Sequence, residues 1–412
     1  MKCAAAILLF FLLISCKGRV GERSVAPDSL TAKGTALEEV DSADFDLTSM
    51  AIYKADSLLA GMTLEQRVGQ LFMPSIYAQS DPLTLRRLRE YVSDMHVGGV
   101  VLLKGDLRSA AAMAGIGADA GVPLFMAIDA EWGLGMRLED APDFPRNGRL
   151  SPGADERLLF DYGREVAREC RRAGINMVLG PVIDVAENPR GVIGSRSFGG
   201  DPVRVAGLGV AYARGVESGG VISVAKHFPG HGSPSGDSHS SLQVISRPLT
   251  QLDSIDLYPF RNYIDAGLSG VMVGHLAVPA IDPEALPAAV SKVVIDGLLR
   301  QELGFHGLVL TDALNMKGAD GFGAADAILA GADIVVGPAE TAKEIGDVVV
   351  KVKNGEIPQR LIDDRCRRIL FYKFLIGLDL EGPVALERLR EEVRGSSDSL
   401  YRRLTVSLPR DS

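Results

Sequence analysis

Val221-Ile222-Ser223-Val224-Ala225-Lys226-His227 is an apolar run that ends abruptly on two polar side chains. Its first five residues show no apolar–polar alternation, the composition of a strand covered on both faces, as in parallel sheets. The same form recurs along the chain, and strands are expected at 68–76, 97–103, 123–129, 176–184, 221–227, 270–275, 308–312 and 332–336. Between them lie stretches of helical periodicity, at 85–92, 154–173, 202–217, 255–266, 292–302 and 342–353. Eight strands alternating with helices predict an α/β chain, folded as one TIM-type (β/α)₈ barrel. An open doubly wound sheet is the alternative that the same alternation allows.

The strand ends carry a second pattern. Lys104-Gly105-Asp106, Asp129, Asp184, Lys226-His227, His275 and Asp312 all fall where an apolar run stops. In such barrels the chemistry sits at the C-terminal ends of the strands. A structural protein has little reason to put charge and imidazole there.

Composition narrows the partners. A chain of 412 residues is long for one domain, but barrels commonly need about 250 residues or more. A net charge of −9 argues against a nucleic-acid or anionic-membrane partner, since there is no basic surplus to neutralise phosphates. One Trp gives no extended aromatic platform for polysaccharide.

The N-terminus reads as a targeting segment. Lys2 precedes an apolar run, 4–14, too short to span a bilayer. It ends in Leu13-Ile14-Ser15-Cys16, which resembles the bacterial lipoprotein box, where cleavage leaves a lipidated Cys. An ordinary secretory signal cleaved nearby is the alternative. Residues 17–45 suit a flexible tether, 46–390 the barrel and 391–412 a C-terminal tail. The reading is a secreted lipoprotein of the bacterial cell envelope that meets the membrane through its lipid alone. Lys17-Gly18-Arg19 lacks an acidic run, which favours a periplasm-facing anchor. Cys170 and Cys366 fall in helical patterns and are expected as two buried thiols, with a disulfide between them left open.

Three of the six histidines crowd into Lys226-His227-Phe228-Pro229-Gly230-His231-Gly232 and Asp237-Ser238-His239. An Asp two residues before a His can orient and charge the imidazole for acid–base work. Metal binding fits poorly, because the spacing lacks the helical HExxH logic and no Cys joins the group. Asp312 ends an apolar run where a carboxylate has no packing purpose.

With these residues the chain resembles glycoside hydrolase family 3, in particular its β-N-acetylhexosaminidase branch, over about residues 50–380. The 226–232 segment with its downstream Asp-Ser-His is the specific signature. Ile128-Asp129-Ala130-Glu131-Trp132-Gly133 with Arg137, Pro181–Val185, Ile193–Gly199 and Leu310–Met316 agree with the family in order and spacing. The resemblance implies a retaining glycosidase without cofactor or metal, acting on amino-sugar oligosaccharides. Asp312 would be the nucleophile, as a glycosyl-enzyme mechanism requires a carboxylate under the anomeric carbon. His239 would be the general acid–base and Asp237 its partner. Asp129, Arg137, Arg196, Lys226 and His227 would bind the terminal sugar. Asp184 is expected either to support the site or to touch substrate, and His275 and Trp132 either to line the pocket or to pack in the core. The 129–137 segment departs from the commonest family pattern, which has Gln and a Gly-Gly-Arg run, so the wall near Trp132 must differ. Segment 401–409 resembles the start of a second domain of longer members. With acid–base and nucleophile both on the barrel, no catalytic residue is expected from such a domain.

Several rivals stand beside this reading. Lys226 could be the covalent residue of a Schiff-base barrel, or the chain a glycan-binding barrel without activity. Within the family, a β-glucosidase or β-xylosidase and a phosphorolytic outcome are open. If His239 were not the acid, Glu131 would be the next choice. The substrate most consistent with an envelope lipoprotein is a terminal β-linked N-acetylglucosamine on peptidoglycan fragments, with chitin or host glycans as alternatives.

Overall fold

The computed structural model describes residues 42–406 apart from 119, 233–241, 381 and 383. Cys16, Asp237, His239 and the signal segment therefore lie outside the described residues. Eight parallel strands form a ring. β1 is Phe72–Met73 continued past Pro74 as Ser75–Ala78, and β2 is Gly99–Gly105. β3 is Phe125–Ile128, β4 Met177–Val178, β5 Ile222–Phe228, β6 Gly270–Val273, β7 Leu308–Thr311 and β8 Val335–Val336. The second half of β1 pairs with β2, and pairing then runs in chain order to β7. β7 meets β8 through Leu310 and Ile334, and β8 pairs with the first half of β1, so the ring closes. The barrel expected from the sequence is the fold observed.

Several strand limits differ from expectation, each for a local reason. The first run was read from 68, but 68–70 end the helix Leu64–Gln70. Thr63 and Gln66 form a reciprocal capping box that starts that helix, and it outweighs the β-like composition of its last turn. The 176–184 run is regular strand only over β4 and returns as a single bridge between Val182 and Lys226, because Pro181 has no N–H to give a continuous ladder. The tether expected to reach 45 gives way at 42 to the helix Ser42–Gly61. The 391–412 tail is helical over Ser397–Val406 and docks on the helix Glu156–Arg172, where Ser397 Oγ is hydrogen-bonded between Glu165 and Glu169 at 2.9 and 2.5 Å. Cys170 and Cys366 are both buried and free, which removes the disulfide.

A buried cation lies near the N-terminal ends of the strands. Lys373 is fully buried, donates to Gln70 Oε1 at 2.7 Å and lies 5.2 Å from the centre of the Phe125 ring. Outside this ring of strands, Asp333 gathers Arg300 and Arg368 and accepts from the Val309 N–H, tying β7 to the turn before β8. Such pairing is what allows a carboxylate to be buried at all.

Candidate functional site

The strand ends open on a cavity of about 410 Å³ that presents Asp129, Glu131, Arg137, Arg196, Lys226, His227, His231 and Asp312. The loop after β3 brings the first two. Gly133 takes a φ of +92°, and a Cβ there would sit 2.5 Å from the Phe144 ring, so only glycine lets this turn close. Arg137 is carried back to the end of β2, where its carbonyl accepts from the Gly105 N–H at 3.1 Å. Arg196 ends a short 3₁₀ turn, and Asn147 holds its carbonyl at 2.8 Å.

Lys226, near the end of β5, is the hub. Its Nζ lies 2.6 Å from Asp129 Oδ1 and 2.9 Å from Glu131 Oε1. Arg137 also pairs with Asp129, and Arg196 grips Glu131 with both Nε and Nη2, at 2.9 and 2.8 Å. Burial would favour the neutral acids, but the flanking cations win. Asp129 is held far below the usual carboxylate range, and Glu131 at about 2. The two carboxylates in turn outweigh burial at Lys226 and raise its pKa, keeping it an ammonium. An amine held as an ammonium between two carboxylates is a poor nucleophile, which speaks against the Schiff-base reading of Lys226. Glu131 is no proton donor near neutral pH, so the fallback acid is removed.

Asp184 is fully buried and does not line the cavity. Its Oδ1 accepts from the backbone N–H groups of His227 and His231, at 3.0 and 2.7 Å, and its Oδ2 lies 2.8 Å from His227 Nδ1. It therefore supports the site: it fixes the main chain of 227–231 and orients the His227 ring with Nε2 turned away from it. Ser197 steadies Asp184 in turn, donating to its carbonyl at 2.5 Å.

Asp312 follows β7, with its backbone N–H on the Val273 carbonyl and its Oδ1 accepting from the Ala313 N–H, both at 2.8 Å. Burial opposes its charge, yet His227, His275, the Ala313 N–H and Lys226 hold it ionised. His275 is buried outside the cavity, with Nε2 3.0 Å from the Ala313 carbonyl, and so braces the Asp312 turn. Trp132 does not line the cavity either; the Arg146 guanidinium lies over its ring at 4.6 Å. At the end of β2 the polar residues face elsewhere: Asp106 accepts from the Ser109 N–H and starts the next helix.

The structure thus gathers Asp129, Arg137, Arg196, Lys226, His227 and Asp312 around one space. Five participants escaped the sequence reading. Glu131 was noted only as a matching position and a spare acid, and its grip on both Arg196 and Lys226 depends on long-range approach. Met136, Val192, Asn315 and Met316 line the cavity from loops, where side-chain direction has no period to reveal it. Among the described residues no group of His, Cys, Asp and Glu is arranged to hold a metal ion.

A closed parallel barrel with carboxylates, cations and imidazoles at its strand ends has the architecture of a barrel enzyme. The chain belongs to glycosyl hydrolase family 3, whose N-terminal domain profile matches residues 63–371. A Nitrosomonas eutropha protein named β-hexosaminidase is 36% identical over 60% of this chain and 75% of its own length. A Cellulomonas fimi protein named β-N-acetylglucosaminidase/β-glucosidase is 30% identical over 82% of this chain and 62% of its own. Among solved structures, a family 3 β-N-acetylglucosaminidase from Paenibacillus sp. superposes with a TM-score of 0.75 at 31% identity. That match covers 84% of this chain and 69% of the other.

Proposed function

We propose that the protein is a retaining glycosidase that removes terminal β-linked N-acetylhexosamine, with Asp312 as nucleophile. One observation carries the reading. Of the three cavity carboxylates, Asp312 alone has no salt bridge among the described residues, while Asp129 and Glu131 are locked to cations. An ionised carboxylate at a strand end, unneutralised but steadied by one backbone N–H, is poised to attack an anomeric carbon. Asp129, Arg137, Arg196, Lys226 and His227 supply fixed donors and acceptors for sugar hydroxyls.

The leaving oxygen then needs a proton, and the cavity carboxylates are held ionised. An imidazole is the remaining kind of donor, and His239 with Asp237, which follow Gly232 within a few residues, fills that role in this reading. The N-acetylhexosamine preference rests on the relatives named above and on the Asp237-Ser238-His239 segment. The substrate is assigned as terminal N-acetylglucosamine of peptidoglycan fragments, with the protein held at the envelope by lipid on Cys16. Partition of full-length protein into detergent, lost in Cys16→Ala, checks the anchor; an unmodified N-terminus downstream of Cys16 contradicts it.

The name of the Cellulomonas fimi relative makes a dual β-glucosidase activity the second reading. A panel of nitrophenyl glycosides separates the two. The expected result is a roughly hundredfold preference for the β-N-acetylglucosaminide, because a site built to bond an acetamido group rejects the analogue lacking it. Equal or faster turnover of the β-glucoside overturns the N-acetylhexosamine assignment.

A further inference from the structure

His231 takes no part in the mechanism above, yet it is only 3% exposed and lines the same cavity. Among the described residues, neither of its ring nitrogens has a hydrogen-bond partner. Buried polar groups are almost always paired, so an unpaired one calls for a partner. The ring is nonetheless firmly placed. Its backbone N–H is bound to Asp184 at 2.7 Å, and its ring and that of His227 meet edge-to-face at 5.8 Å. Gly232 packs so tightly that a Cβ there would lie 1.7 Å from the Val185 carbonyl oxygen.

We propose that His231 reads the substituent on the carbon next to the reacting centre of the bound sugar, through one of these two unpaired ring nitrogens. The inference rests on the glycosidase reading given above. Burial and the neighbouring His227 push the pKa of His231 down, so its ring is neutral and offers one donor and one acceptor. A secondary amide or a hydroxyl can answer either one. His231 and Asp312 line the same cavity, so a sugar seated with its anomeric carbon over Asp312 is held between walls that include the His231 ring.

The test compares wild type, His231→Leu and His231→Asn on nitrophenyl β-N-acetylglucosaminide, β-glucoside and 2-deoxy-β-glucoside. His231→Leu should lose about tenfold or more in kcat/KM on the first, mostly through KM, and change little on the 2-deoxy sugar. His231→Asn should recover part of the loss. The loss should be equal for nitrophenyl and dinitrophenyl leaving groups, and the His231→Leu protein should melt no lower than wild type. Equal losses with and without the substituent overturn the proposal. So does a loss that grows with a poorer leaving group, which would mean His231 acts through the proton donor. If wild type prefers the glucoside, the N-acetylhexosamine reading fails separately, and the glucoside against its 2-deoxy analogue still decides His231.

Discussion

Lys226 shows how one residue can set the chemistry of three. Its ammonium faces Asp129 and Glu131 together, so both carboxylates stay charged and neither competes with Asp312 as nucleophile or with an imidazole as acid. Glu131→Gln should therefore do more than remove a negative charge. It frees Arg196 from a two-point grip inside a buried site, and breaking one partner of a buried pair costs about 3–5 kcal/mol. A lower melting temperature and a rise in KM are expected together, read by calorimetry and steady-state kinetics. An unchanged melting temperature would mean the pair is not tight in solution. Asp312→Ala should lower kcat by about 10⁴ or more while leaving the fold intact, since loss of a nucleophile stops both steps. Retention of more than a hundredth of the activity would reject Asp312 as the nucleophile.

At the scale of the element, the segment after β4 does the positioning. Asp184 stands beyond the regular strand and holds the 227–231 main chain by two backbone N–H groups. Asp184→Asn keeps the size but cannot accept on both oxygens. It should lower kcat/KM about 10–100-fold, as loss of an orienting partner typically does. The thermal stability should fall less than for Glu131→Gln. The same rate as wild type would show that the segment is held without it. The sequence made the barrel legible because every strand buried on both faces leaves the same unalternating apolar run, and the polar strand ends marked Asp129, Lys226, His227 and Asp312. It did not reveal where β1 begins or β4 ends, since a capping box at Thr63 and a missing N–H at Pro181 override composition. Nor could it separate His275 and Asp184, which brace the site, from residues that face the cavity. All are polar groups at strand ends, and only packing decides which way they point.

For the whole molecule, the ends of the barrel divide the labour, one for packing and one for chemistry. The packing end carries a cost in Lys373, whose burial lowers its pKa to about 7 from 10.5. Between those values the unfolded chain binds the extra proton, so this group makes stability rise with pH from about 7 upward. Lys373→Met should stabilise the protein by about 1–4 kcal/mol at pH 7 and below, with the gain shrinking toward pH 10. Denaturant unfolding at several pH values reads this, and a gain independent of pH would show that Lys373 stays charged when folded. The chemical end is tested most directly by catching the covalent intermediate. His239→Ala lacks the base that would release the sugar, while a dinitrophenyl leaving group departs without help from the acid. Quenched reaction of that variant with dinitrophenyl β-N-acetylglucosaminide, followed by intact-mass and peptide mass spectrometry, should show one N-acetylhexosaminyl group on the peptide that carries Asp312. Turnover of that substrate with no adduct, or an adduct on any other residue, would contradict Asp312 as the nucleophile and with it the mechanism.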